Sequence, residues 1–232
     1  MPPISSDRDP LRERAPSERG GATRRADAAS DATGAEDSAD TLAPLLARAA
    51  GGDSQAWREI VASFAPRVHG LLRAQCRDHE LAEEITQSAF CTIAAKIGDY
   101  VESGRFESWL FRIAVNRLRD EMRRRARHAR PMGDEALGVA SARSAAAARP
   151  SVVEAELRAK LEAALARLSE ADREIVELRH TGGMSFRALS DYYDEPLGTL
   201  LARHHRALKK LKAALESLGV DAGDLAGGGG GS

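Results

Sequence analysis

Leu81, Ile85, Ala89, Ile93 and Ile97 recur at a spacing of four. Residues four apart share one face of an α-helix, so this stretch reads as a long helix with a single apolar stripe. Such a stripe has to be buried against something, and the neighbouring sequence offers more helices. Gly98, Asp99, Ser103 and Gly104 break the pattern. Phe106, Trp109, Leu110, Ile113, Ala114 and Leu118 then place a second apolar face on a following helix. Upstream, 42–50 and 56–76 read as two helical stretches separated by Gly51-Gly52-Asp53, and Pro66 is expected to kink or split the longer one for want of a backbone donor. Aromatic residues are only 4% of the 232. Ala, Leu, Arg and Glu, the strong helix formers, dominate instead, which argues against an all-β fold.

A second block carries the same signals. Leu157, Leu161, Ala164, Leu165 and Leu168 begin a helix, and Ser169-Glu170-Ala171-Asp172 fits a capping box that opens the next, with Ile175, Val176 and Leu178. Thr181-Gly182-Gly183 ends it. Ser185 can cap a short helix that turns Leu189 and Tyr192 inward; Asp194-Glu195-Pro196 makes a turn, and a last helix runs from about 197 to 218. The fold class expected is therefore all-α, with two helical domains, the second containing a helix-turn-helix. The divisions are a disordered tail over 1–42, a first domain over 43–130, a flexible linker over 131–150, a second domain over 151–218 and a glycine-rich tail over 219–232. The tails and linker hold few large apolar side chains and cannot offset their own ordering entropy.

Charge is distributed unevenly. Residues 1–42 carry six Arg against nine Asp and Glu, whereas 43–130 carry 15 basic against 11 acidic residues. Seven Arg crowd into 116–130, and Arg203, Arg206, Lys209, Lys210 and Lys212 cluster in the last helix without an acid among them. Two compact basic clusters in an otherwise balanced chain are the footprint of phosphate contact at two places. A short helix, a tight turn and a basic helix over 184–212 also have the form that presents side chains to a DNA major groove. By spacing alone, a helical hairpin with a solvated basic end fits equally well. Phe106, Trp109 and Phe111 beside an Arg-rich helix suit unstacked DNA, although core packing is the simpler role for Trp109.

Other chemistries are not indicated. There is no phosphate-binding glycine loop, no His-Glu-x-x-His and no nucleophile elbow, so no enzyme and no cofactor is expected. Cys76, His79 and Cys91 fall short of a four-ligand metal set, and the two cysteines read as small buried hydrophobes. No run of about 18 apolar residues spans a membrane, no secretory leader opens the chain, and a cytoplasmic setting is expected.

Longer strings sharpen the reading. Glu83-Glu84-Ile85-Thr86-Gln87-Ser88-Ala89-Phe90 precedes Phe106-x-x-Trp109-Leu110-x-x-Ile113-Ala114-x-Asn116, with Asp120 and Arg123 beyond. Pro196-Leu197-Gly198-Thr199 is followed by Arg203, Arg206 and Ala207. In this order, on either side of a linker, these strings resemble the extracytoplasmic-function sigma factors, a two-domain class of bacterial transcription initiation factor. The resemblance implies that Glu83, Glu84 and Gln87 bind core RNA polymerase. It implies that Arg105, Asn116, Arg117, Arg119, Arg123 and Arg124, with the loop 98–105, hold the promoter −10 element. It implies that Thr199, Leu201, Ala202, Arg203, His205, Arg206 and Lys209 face the −35 element. Core polymerase and promoter DNA are the partners implied, with an anti-sigma factor as a further one. Leu201 and Ala202 stand where the family usually carries a basic residue and Ser, Leu200 stands for the common Val, and Asp194 for the usual turn Gly. Two alternatives remain open on these residues, a helix-turn-helix regulator that is not a sigma factor and a polymerase-interacting adaptor.

Overall fold

The computed structural model describes residues 42–101, 103–128 and 152–220. The expected N-terminal tail (save residue 42), the linker 131–150 and the glycine-rich end beyond 220 lie outside them. Among the described residues, all regular structure is helical. It comprises α1 (42–50), α2 (Ser54–Cys76), α3 (His79–Lys96), a single 3₁₀ turn (Ile97–Asp99), α4 (Phe106–His128), α5 (Val152–Ala166), α6 (Glu170–His180), α7 (Phe186–Tyr193) and α8 (Leu197–Ser217).

Short polar residues set the helix starts. The Asp53 carboxylate accepts from the backbone N–H groups of Gln55 and Ala56 and opens α2. Asp78 does the same for α3 through the N–H of Leu81. Ser169 and Ser185 open α6 and α7 by accepting from Asp172 and Ala188. Each cap satisfies a donor that the first helical turn leaves without an intrahelical partner. Arg77, in the left-handed region at φ 57°, ends α2 and lets α3 fold straight back on it.

Pro66 does not split α2, which continues through it to Cys76. The proline is exposed, and so is Ala62, whose carbonyl loses its helical donor, so water can satisfy that group.

The apolar stripes meet as their periodicity requires. Ile85, Ala89 and Ile93 of α3 are buried with Ile60, Val68, Leu71 and Leu72 of α2 and with Phe106, Leu110, Ala114 and Leu118 of α4. In the C-terminal block, Ile175, Leu178, Met184, Leu189 and Leu200 are fully buried between α6, α7 and α8. One point differs from expectation and one goes beyond it. The cysteines are not both buried: Cys91 is exposed, while Cys76 is half-buried and donates to the Asp78 carbonyl. The two blocks, separate in the sequence pattern, share one continuous apolar cluster, with α4 packed on α7 and α2 on α6. Gly182 lies at that junction. A Cβ there would come within 2.7 Å of the Leu178 carbonyl and 3.2 Å of the Phe111 ring, so only glycine fits without a shift.

A histidine pair ties α6 to α8. The Nε2 atoms of His180 and His204 are 3.0 Å apart, the rings stack, and Phe186 packs edge-on against His204. One N–H bridges two ring nitrogens, which requires at least one neutral ring. Burial first, and the Arg179 charge second, hold His180 below the ordinary value of 6.5. A histidine with a lowered folded pKa contributes stability that is present above the unfolded value and lost as pH falls through the folded one. The melting temperature of the wild type should therefore fall more steeply than that of His180→Gln between about pH 6.5 and 5. Parallel pH profiles in thermal melts would show that the pair does not titrate with folding.

Candidate nucleic-acid interface

The polar face of α3 opposes its apolar stripe. Glu83, Glu84 and Gln87 are all exposed, Gln87 reaching Glu83 at 3.4 Å and Glu84 lying 4.0 Å from Arg125 of α4. The side of α3 that packing leaves free thus carries all three residues expected to meet polymerase. Between α3 and α4 runs an open groove lined by Glu84, Ser88, Arg117, Asp120, Arg124 and Arg127. Carboxylates punctuate its arginines. Arg124 forks onto both oxygens of Glu121, and Arg125 bridges Glu121 and Asp78. Those guanidinium hydrogen bonds, from Arg124 first and then Arg125, hold the Glu121 carboxyl down at about 2.

The loop before α4 is backed by aromatic rings. Tyr100 stacks on Trp109 with centroids 4.9 Å apart, and Phe106 lies beneath both, at 5.7 and 5.9 Å. Phe106 is fully buried and Trp109 half-buried, so Trp109 serves the core on one side and remains accessible on the other. Val101 projects from the same loop, 82% exposed. A rigid aromatic base beneath an exposed loop can hold an unstacked base.

The arginines expected to touch the −10 strand divide by what they now contact. Asn116, Arg123 and Arg124 are exposed, the last two with carboxylate neighbours on their own helix. Arg117 instead donates to the Ser88 hydroxyl at 2.6 Å and to the Thr92 hydroxyl, clasping α4 to α3. Arg119 pairs with Glu174 of α6 at 2.6 Å, and Arg105 with Asp191 of α7 at 3.1 Å.

On α8, the structure separates the expected −35 residues in the same way. Thr199, Ala202, His205, Arg206 and Lys209 are exposed along one side. Leu201 packs against the core instead of pointing away from it. Arg203 donates to both carboxylate oxygens of Glu195, at 2.8 and 2.7 Å, and lies over the Tyr193 ring. It braces the start of α8 against the turn, where Asp194 takes the left-handed conformation at φ 55°. Lys210 of the same basic cluster is bound to Asp172 at 2.5 Å.

Two participants were missed in the sequence. Arg67 donates to the Gly182 carbonyl at 2.8 Å and pairs with Glu107. Desolvation pushes the Glu107 carboxyl above its ordinary range, outweighing the pull of Arg67. Arg112 donates to the carbonyls of Asp191 and Tyr192 at 2.8 and 2.7 Å. The available signal was a charge set between apolar neighbours, Pro66 and Val68 for Arg67, Phe111 and Ile113 for Arg112.

Among the described residues, no three His, Cys, Asp or Glu side chains converge on a metal position, and no helix is long and apolar enough to cross a membrane.

Comparison with known proteins agrees with the geometry. Residues 60–128 match the model for Sigma-70 region 2, and residues 164–213 match that for Sigma-70, region 4. The RNA polymerase sigma factor CarQ of Myxococcus xanthus is 33% identical over 170 residues, spanning 73% of this chain and 95% of that protein. The ECF RNA polymerase sigma factor SigW of Bacillus subtilis is 27% identical over 173 residues, spanning 72% and 92%. CnrH, solved in complex with the cytosolic domain of CnrY, superposes with a TM-score of 0.54 at 23% identity, over 75% of this chain and 96% of that one, a likeness of fold. With both conserved sigma regions present in order and a relative matched over nearly its whole length, the chain belongs to the extracytoplasmic-function sigma factors, non-enzymatic transcription initiation factors that direct RNA polymerase to promoters.

Proposed function

We propose a division of labour within this chain. The 43–130 domain docks on core RNA polymerase through Glu83, Glu84 and Gln87. It captures the −10 strand with the loop 98–105, Asn116 and the arginines of α4. The 151–218 domain reads the −35 element with Thr199, Ala202, His205, Arg206 and Lys209, while Arg203 and Leu201 position the helix from behind. The linker over 131–150 spans the two elements. The setting is the cytoplasm, where polymerase and promoter are found, and an anti-sigma factor is the further partner of this reading.

The observation that supports it most is one of placement. The exposed polar face of α3 meets the arginine-rich helix near Arg125, and the exposed, aromatic-backed loop meets its other end at Phe106 and Trp109, so one helix joins the two. One rigid body can therefore hold polymerase and an opened strand together, where flipping a base costs a few kcal/mol that contacts must offset. The test is run-off transcription with the purified chain and bacterial core polymerase on promoter-bearing fragments. Discrete transcripts that need the chain are expected. Core binding without promoter-dependent initiation would favour an adaptor, and DNA binding without core binding a plain regulator.

A further inference from the structure

Positions 105, 112 and 119 are seven residues apart. Seven residues are close to two helical turns, so the three arginines fall in one row along α4 and its entry, spaced by about 10 Å. In this structure all three are bound to oxygens of the C-terminal block. Arg105 faces the Asp191 carboxylate, Arg119 the Glu174 carboxylate, and Arg112 two backbone carbonyls in the last turn of α7. The end of a helix leaves its carbonyls unpaired and partially negative. Each guanidinium thus meets a negative or partly negative oxygen, and guanidinium recognises carboxylate and phosphate by the same forked geometry.

We propose that Arg105, Arg112 and Arg119 form one phosphate-binding row, occupied in the free chain by the C-terminal block, so that a nucleic-acid strand and that block compete for it. The proposal rests on the reading that the N-terminal block holds the opened promoter strand, and it adds Arg112 to that surface. The occupant is matched to the row along its length, with Glu174 on α6 and Asp191 on α7 placing carboxylates at its two ends. Tyr192 lies between them, its ring beneath Arg112 and its hydroxyl 3.3 Å from Glu174. Below the row, Arg67 ties α2 to the Gly182 carbonyl and Phe111 meets Gly182, so the blocks also hold each other through buried contacts.

The pairs are displaceable. The guanidinium side of each pair faces solvent, Arg105 being 68% exposed and Arg119 41%, while the carboxylates of Asp191 and Glu174 are more covered at 18% and 14%. Ion pairs open to water on one side shift an equilibrium by only a few-fold each. A phosphate strand or a polymerase surface that draws the blocks apart can release all three arginines. The free chain is then a weak DNA binder because its own acidic residues stand where phosphates would.

The experiment compares the full chain with Glu174→Gln/Asp191→Asn, neither residue being assigned to polymerase or DNA contact. The probe is single-stranded oligothymidine of about 20 nucleotides, followed by fluorescence anisotropy across a salt series. Small-angle scattering reports the separation of the blocks. Freeing Arg105 and Arg119, while Arg112 keeps its backbone carbonyls, should tighten binding about tenfold at low salt and steepen the salt slope by about 1.4, at roughly 0.7 per phosphate neutralised on a single strand. Its radius of gyration should increase. A control, Glu162→Gln/Glu216→Gln, removes the same charge from exposed positions away from the junction and should alter neither slope nor size. The swap Arg119→Glu/Glu174→Arg rebuilds one pair with reversed polarity and should stay as compact as wild type. A double variant that expands without a steeper slope overturns the competition, as does one that matches the control in size and binding. Run-off transcription by the wild type is scored separately, so failure of the sigma reading is distinguishable from failure of the lock.

Discussion

Phe106→Ala is expected to destabilise the protein by about 3–5 kcal/mol, the cost of emptying a fully buried aromatic site. The ring is 1% exposed and meets Phe64, Tyr100 and Trp109 at centroid distances of 5.5, 5.7 and 5.9 Å. For a domain pair of this size the melting temperature should fall by about 10 °C. The effect should reach the promoter loop as well, because Tyr100 and Trp109 rest on this ring. Phe106→Leu retains most of the apolar volume and should cost much less, while leaving the Tyr100–Trp109 stack less well supported. Denaturant melts of both variants supply the check. An alanine variant within about 1 kcal/mol of wild type would mean that the site collapses around the loss, and the loop is not anchored there.

The second large effect is expected at the polymerase face. Glu84→Arg with Gln87→Ala should weaken binding to core RNA polymerase by about 30-fold, as for a central interface position. The folded monomer has little reason to notice. Gln87 makes one long bond to Glu83 and Glu84 one distant pair with Arg125, both on the surface. Helicity and melting temperature should therefore match wild type, which separates lost docking from lost folding. A pull-down titration showing unchanged affinity would remove these residues from the interface.

These two residue sets were legible in the sequence for different reasons. Phe106 belongs to a stripe with its periodicity written over a dozen residues, and burial follows from that spacing. Glu84 and Gln87 are visible as the polar remainder of an apolar-striped helix, and their role came with the family motif. The caps at Ser169 and Ser185 were equally local, since a side chain that bonds a backbone N–H three residues on needs no tertiary partner.

The arginines were not legible in this way. Arg117, Arg119 and Arg203 look alike in sequence to Arg123, Arg124 and Arg206. Yet the first three are bound to hydroxyls or carboxylates of other elements, and the others lie exposed. A guanidinium accepts any well-placed oxygen, so its partner depends on which surface the fold brings within reach. Leu201 shows the same limit. The family pattern placed it at the groove, whereas in the fold it packs against the shared core. Pro66 did not split α2, because the lost bond falls on the exposed Ala62 carbonyl, and the local sequence does not specify that exposure.

The sequence by itself therefore determined the helices, their caps, the apolar faces and the family, because each depends on residues a few positions apart or on a motif read as a string. Tertiary structure decided which cations remain exposed for phosphate and that the two blocks share one core. Contacts such as Arg67 to Gly182, 115 residues apart, join groups that no local periodicity relates. They form only when buried apolar faces have already set the distance between the helices that carry them.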